Sequence, residues 1–148
     1  MKEIILSSNN DWAGFFLRLS AAVVLFPHGA QKMLGWFGGY GFTNSMNYFT
    51  NTAHLPWIIG LLVILLEFFG PLLLLAGIGT RIWAALLAIL FTGIVLKDHM
   101  HNGFFMNWFG NQKGEGMEYS LLYIGICIAL VLNGSGKLSI DNLINYTK

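Results

Sequence analysis

Glu67 stands alone in an apolar run from Trp57 to Leu75 that is long enough to cross a bilayer. A carboxylate in the middle of such a run is costly to bury, so something must hold it, and intramembrane ionisable residues are functional candidates by default. Depth along the helices suggests the partner. Arg18 falls roughly 9 Å from one edge of the hydrocarbon core and Glu67 roughly 14 Å from the same edge, at about 1.5 Å of rise per residue. The offset of about 5 Å is within the reach of an arginine side chain. The count predicts that Arg18 and Glu67 pair across two helices, each lowering the cost of burying the other. Such a pair can relay protons or anchor a ligand, and it can equally do no more than fix helix register.

A second polar group lies toward the opposite edge. His28 and Lys32 are four residues apart and share one helix face. His99, His101 and Glu118 fall within a turn or two of the same surface. Three chemistries fit this set. Interfacial His and Lys can snorkel or cap and simply hold the helices together. His and carboxylates also relay protons and bind carbonyl oxygens, which makes a quinone or proton site. A metal site could draw on His28, His99, His101 and Glu118; no dense ligand motif supports it, and no metal is assigned. A third group, Arg81, Lys137 and Asp141, falls at the other helix ends and reads as a solvated ion pair of little energetic weight. Cys127 is the only cysteine, so neither an internal disulfide nor a dithiol couple is available, and in its apolar surroundings it reads as packing.

The elements that must position these groups are membrane spans. The 148 residues are 55% hydrophobic and 10% charged, with a mean hydropathy of +0.63, whereas a soluble domain carries about 25% charged residues. The chain is read as a single integral membrane unit, residues 1–148, of all-α class. Four transmembrane helices are expected, at about 12–34, 56–77, 81–99 and 117–133, followed by an amphipathic tail at 138–148 that lies on the membrane surface. Asp11 is placed to cap the first, Pro56 to begin the second, and Gly134-Ser135-Gly136 to end the fourth. No cleavable signal is expected at the start.

An even number of spans puts both termini on one side. That side carries Lys2, Arg18, Arg81, Lys137 and Lys148 against Lys32, Lys97 and Lys113 on the other, and the bias favours cytoplasmic termini. Two aromatic-rich loops, 35–53 and 100–116, then lie on the non-cytoplasmic side, suited to the headgroup layer or to covering a site. A net charge of +1 gives no basic face for nucleic acid. Ala84, Ala85 and Ala88 on the third helix would permit close helix contact, so a homodimer fits.

The ordered set of features resembles the DoxX family of small bacterial membrane proteins. It runs from Arg18 through His28-Gly29-Ala30-Gln31-Lys32 and Trp36-Phe37-Gly38-Gly39-Tyr40-Gly41-Phe42 to Glu67-Phe68-Phe69-Gly70. It continues through Ala76-Gly77-Ile78-Gly79-Thr80-Arg81, Asn102-Gly103-Phe104-Phe105, Gly116-Met117-Glu118-Tyr119 and Gly134-Ser135-Gly136-Lys137-Leu138-Ser139-Ile140-Asp141. The resemblance implies a four-helix bundle in the bacterial cytoplasmic (inner) membrane and a link to redox metabolism, as in the DoxD-type subunit of thiosulfate:quinone oxidoreductase and in membrane partners of oxidative-stress enzymes. Three functions follow as expectations. The first is a subunit of a quinone-linked oxidoreductase. The second is a non-catalytic scaffold for a redox enzyme. The third is a transporter of a small molecule or lipid. No haem, flavin or iron–sulfur motif is present, so no covalent cofactor is expected. Electrons would have to come from a partner protein, and the chain is not expected to be catalytic alone.

Overall fold

In lipid every backbone N–H and C=O must find a partner within the protein, so apolar stretches of this length become helices, ended by residues that cannot continue them. The computed structural model describes residues 10–146, the final two by backbone only. Helix α1 spans Trp12–Leu34. The Asp11 carboxylate caps it, accepting from the Gly14 N–H at 2.8 Å, and Gly35 ends it at φ 73°, a left-handed geometry that glycine adopts without penalty. A 3₁₀ turn, Trp36–Gly38, and a short helix α2, Gly41–Asn47, follow. A π-type turn at Tyr48–Thr52 leads to α3, Trp57–Ala76. Gly77, at φ 66°, turns the chain toward α4, Thr80–Lys97. A 3₁₀ turn at His99–Asn102 opens the second long loop, and α5 spans Glu118–Asn133. The described chain ends with α6, Ile140–Tyr146.

One helix boundary differs from expectation, and one loop proves to be structured. The third long helix stops at Lys97, not His99, because Asp98 leaves the helical region at φ −133° and ψ −63° and both histidines pass into the 3₁₀ turn. The first long loop is not irregular; most of it is the compact α2 and its π turn. Lys2 and Lys148, counted in the charge bias, lie outside the described residues, as does the end of the amphipathic tail.

Helices α1, α3 and α4 are long and apolar enough to cross a membrane, and α5 is a shorter apolar helix beside them. The described residues contain no strand. The chain is thus an all-helical, multi-pass membrane protein embedded in lipid. Helix α1 packs on α3, α3 on α4, α4 on α5, and α5 back on α1. The core between them holds Leu25, Leu74, Leu87, Phe91, Tyr123 and Leu130, with the Phe91 and Tyr123 rings stacked at 4.3 Å. Cys127 is fully enclosed there. Ala84 also belongs to this core and Ala88 packs against it. Ala84 and Ala88 let α4 approach its own neighbours closely.

At the end that carries Asp11 and Thr80, the segment after α5 is tied across the helix ends. The Cα atoms of Gly14 and Gly136 come so close that a side-chain carbon on Gly14 would sit 2.7 Å from the Gly136 backbone. The Lys137 N–H donates to the Asp11 carbonyl at 2.8 Å, and its ammonium lies 4.9 Å from the Trp12 ring centroid. Asp141 accepts from the N–H groups of Gly79 and Thr80, both at 2.8 Å. The expectation of a solvated ion pair among Arg81, Lys137 and Asp141 is corrected here for Asp141. Its side chain is 3% exposed and serves as the N-terminal cap of α4 from another helix, where the helix dipole favours a carboxylate. Arg81 donates to the Val131 carbonyl at the C-terminal end of α5.

Candidate functional site

The contact that organises the interior is between backbones. Pro71 has no N–H to donate to the carbonyl four residues earlier, which is that of Glu67. The bare Cα of Gly29 packs against the same carbonyl. A side-chain carbon at Gly29 would lie 2.1 Å from the Glu67 oxygen, a distance that only separation of the helices could relieve. This fixes the register of α1 against α3. Lys32, one turn beyond Gly29, then faces the Glu67 side chain, and its ammonium sits 2.5 Å from Oε2. The Glu67 side chain is 5% exposed and that of Lys32 29%. The pair is therefore buried at its carboxylate end and opens at its ammonium end. His28 stands exposed beside them, within electrostatic reach of both.

Replacing Gly29 by alanine tests this register. The added methyl is expected to lower stability in detergent or lipid by about 1–3 kcal/mol, the usual range for overpacking. An unchanged unfolding midpoint for G29A would show that α1 and α3 do not meet as described.

Arg18 and Glu67 do not pair, which corrects the depth count. The register set at Gly29 leaves Arg18 eleven residues away, about 16 Å along the axis, opposite the C-terminus of α3. Side chains lean toward the N-terminus of their own helix. That lean carries Arg18 away from Glu67, and it carries Lys32 and Glu67, on antiparallel helices, toward one another. Arg18 is 1% exposed; its guanidinium lies 5.9 Å from the Phe15 ring centroid, and its hydrogen bonds all go to main-chain oxygens. Its Nε donates to Ser135 at 2.6 Å, one terminal nitrogen to Leu74 and Leu75 at 2.8 and 2.9 Å, and the other to Lys137 and Leu138 at 2.8 and 3.1 Å. All five guanidinium N–H groups are used. They donate to carbonyls at the end of α3 and in the turn after α5, at the negative end of the α3 dipole; the Leu74 carbonyl also accepts from the Gly77 N–H at 3.0 Å.

The rest of the outer polar group disperses. His99 Nδ1 lies 2.9 Å from the Ser120 hydroxyl, which is fully buried, so His99 joins the start of the second loop to α5. Glu118 accepts from the Trp108 indole at 3.1 Å and pins that loop to the first turn of α5. His101 is exposed. His28, His99, His101 and Glu118 thus do not converge, and no three His, Cys, Asp or Glu side chains among the described residues are grouped to hold a metal. Of the expected set, the structure brings only His28 and Lys32 to a common centre, and adds Glu67 to them.

Tyr119 and Tyr123 both lie within electrostatic reach of Glu67; Tyr119 entered the sequence reading only as part of an ordered motif, and Tyr123 not at all. The signal was available: two tyrosines one turn apart in an apolar helix each carry a hydroxyl whose burial is costly without a partner.

A family model described as DoxX matches residues 13–100, which take in α1, α3, α4 and the loops between them. No curated protein and no solved structure matches the chain.

Proposed function

The chain belongs to the DoxX family, and on that premise we propose that it is a membrane subunit of quinone-linked redox metabolism, with Lys32, Glu67 and His28 as the place where a quinone head group is held. The observation that carries this reading is the buried Lys32–Glu67 pair, whose ammonium end opens at the helix surface. A lysine ammonium has three donors and Glu67 takes one, so two remain for carbonyl oxygen. Glu67 and His28 are proton-exchanging groups, and reduction of a quinone to a quinol consumes two electrons and two protons. The electrons come from a partner enzyme in this reading. The apolar ring and tail enter from the lipid beside His28.

In the same reading α5 is a fourth crossing. It packs along α4 and α1, and its 16 residues span about 24 Å. Both termini face the cytoplasm of a bacterium, and the aromatic loops lie in the outer leaflet. Trp36, Phe37, Tyr40, Phe105, Trp108 and Phe109 are all exposed at that end. Such a surface suits the headgroup layer. It also favours, as a second reading, a scaffold that docks a redox enzyme through the loops. The opposite end is filled by Arg18 and its five carbonyls, which is a poor lining for a through-pathway.

A photoreactive quinone tests the site. Irradiated with the full chain in lipid nanodiscs, it is expected to label peptides containing residues 28–32 or Glu67, and excess unmodified quinone should suppress the labelling. Labelling that is confined to other segments, or that competition leaves untouched, would remove the quinone reading and favour the scaffold.

A further inference from the structure

Tyr119 is the second residue of α5. It packs against the central core, with its ring centroid 6.0 Å from those of both Phe91 and Tyr123. Its hydroxyl oxygen is shielded from solvent and has no hydrogen-bond partner among the described residues. Tyr123, one turn deeper on the same face, gives its hydroxyl to the Ala21 carbonyl at 3.3 Å. One tyrosine of the pair is therefore satisfied within the fold and the other is not. A buried hydroxyl left without a partner costs on the order of 1–3 kcal/mol. Phenylalanine would fill the same space without that cost, as Phe91 does beside it. The other shielded side-chain atoms without partners, Thr80 Oγ1 and Gln112 Oε1, lie in the first turn of α4 and in the second loop. Tyr119 differs from them in lying within electrostatic reach of Glu67, the buried carboxylate of the Lys32 pair.

We infer that Tyr119 is a ligand-positioning residue: its hydroxyl donates to a carbonyl oxygen of the molecule held at the Lys32–Glu67 pair, so that the ligand is gripped between α1, α3 and α5. The inference rests on the quinone reading of that pair and adds a donor on a third helix. It also gives the ligand an orientation, since the ammonium of Lys32 and the phenol of Tyr119 approach from different helices. The carbonyl supplies the acceptor that the fold withholds from Tyr119.

The test uses the full chain in nanodiscs, a short-chain benzoquinone as probe, and the substitution Tyr119→Phe. Wild type is expected to bind the probe, and Y119F to bind it roughly three- to tenfold more weakly, as loss of one net hydrogen bond requires. Without probe, the Y119F unfolding midpoint should equal or exceed that of wild type, because a hydroxyl with no partner has been removed. The infrared carbonyl stretch of ¹³C-labelled probe should shift to higher frequency in Y119F, a change that a merely structural tyrosine would not produce. Failure of wild type to bind the probe overturns both this inference and the quinone reading. Binding by wild type with the same affinity and the same carbonyl stretch in Y119F overturns this inference alone. So does a lowered midpoint at unchanged affinity, which would show a hydroxyl held within the fold.

Discussion

An Arg18→Leu chain is expected to lose about 3–5 kcal/mol of stability, because several enclosed carbonyls lose a donor at once and a buried polar group left unpaired costs on the order of 1–3 kcal/mol. Leucine fills part of the space but donates nothing. The carbonyls of Leu74, Leu75, Ser135, Lys137 and Leu138 would then lose the donors they now share, in an enclosed region where water is scarce. Arg18→Lys should fall between the two. It keeps the cation at the negative end of the α3 dipole, but an ammonium has three donors to set against five acceptors and lacks the planar fork. Unfolding in mixed micelles by a graded denaturant reads the order: wild type, then R18K, then R18L. Loss in R18L should also loosen the segment that follows α5, which hydrogen exchange at Lys137 and Asp141 would report, since both amides are bonded to other parts of that end. If R18L retained the wild-type midpoint, the enclosed cage of carbonyls would not be the element that holds this end together.

The second large effect belongs to the ion pair, and it is asymmetric. Lys32→Met strands the Glu67 carboxylate, 5% exposed, with no cation, and should cost about 3–5 kcal/mol. Glu67→Leu strands an ammonium that is 29% exposed and can turn outward on its flexible stem, so the cost should be smaller. The double variant, K32M with E67L, replaces both charges by apolar groups of similar size. It is expected to recover most of the loss, because a buried pair exchanged for good apolar packing is often neutral or better. Quinone labelling, in contrast, should vanish in all three. A double variant whose loss equals the sum of the singles would mean that the two side chains do not interact energetically. A double variant that is stable and still labelled would mean that the pair is structural only.

The chain's own residues made much of this legible. The charge content and the apolar runs declare a membrane protein, since a bilayer admits few charges and demands helices whose backbones are satisfied internally. The ordered motifs pointed to the family that the match over residues 13–100 shows. Glu67 marked where a polar centre would be, because a carboxylate in such a stretch has to be held. His28 and Lys32 were correctly placed on one face of one helix by their spacing alone.

What failed was the choice of partners. Counting residues gives depth on each helix, but it measures from span ends whose level in the bilayer is only assumed. An error of two turns was enough to exchange Lys32 for Arg18. The lean of side chains toward each helix N-terminus was available as a correction and favours Lys32. Proline at 71 and glycine at 29 were further signs of where the two backbones meet. The fate of Arg18 was beyond such reasoning. Its partners are main-chain oxygens from two segments some sixty residues apart in sequence, and any residue type supplies a carbonyl, so composition carries no trace of them. Asp141 is the same case, a carboxylate that reads as surface charge until the turn at Gly77 and the segment after α5 are brought together. By itself, then, the sequence determined the solvent, the helices and the need for a buried polar centre, because hydropathy and the cost of burying charge act locally. The tertiary structure alone decided which charges meet, because that depends on register between helices, set here by one glycine against one carbonyl.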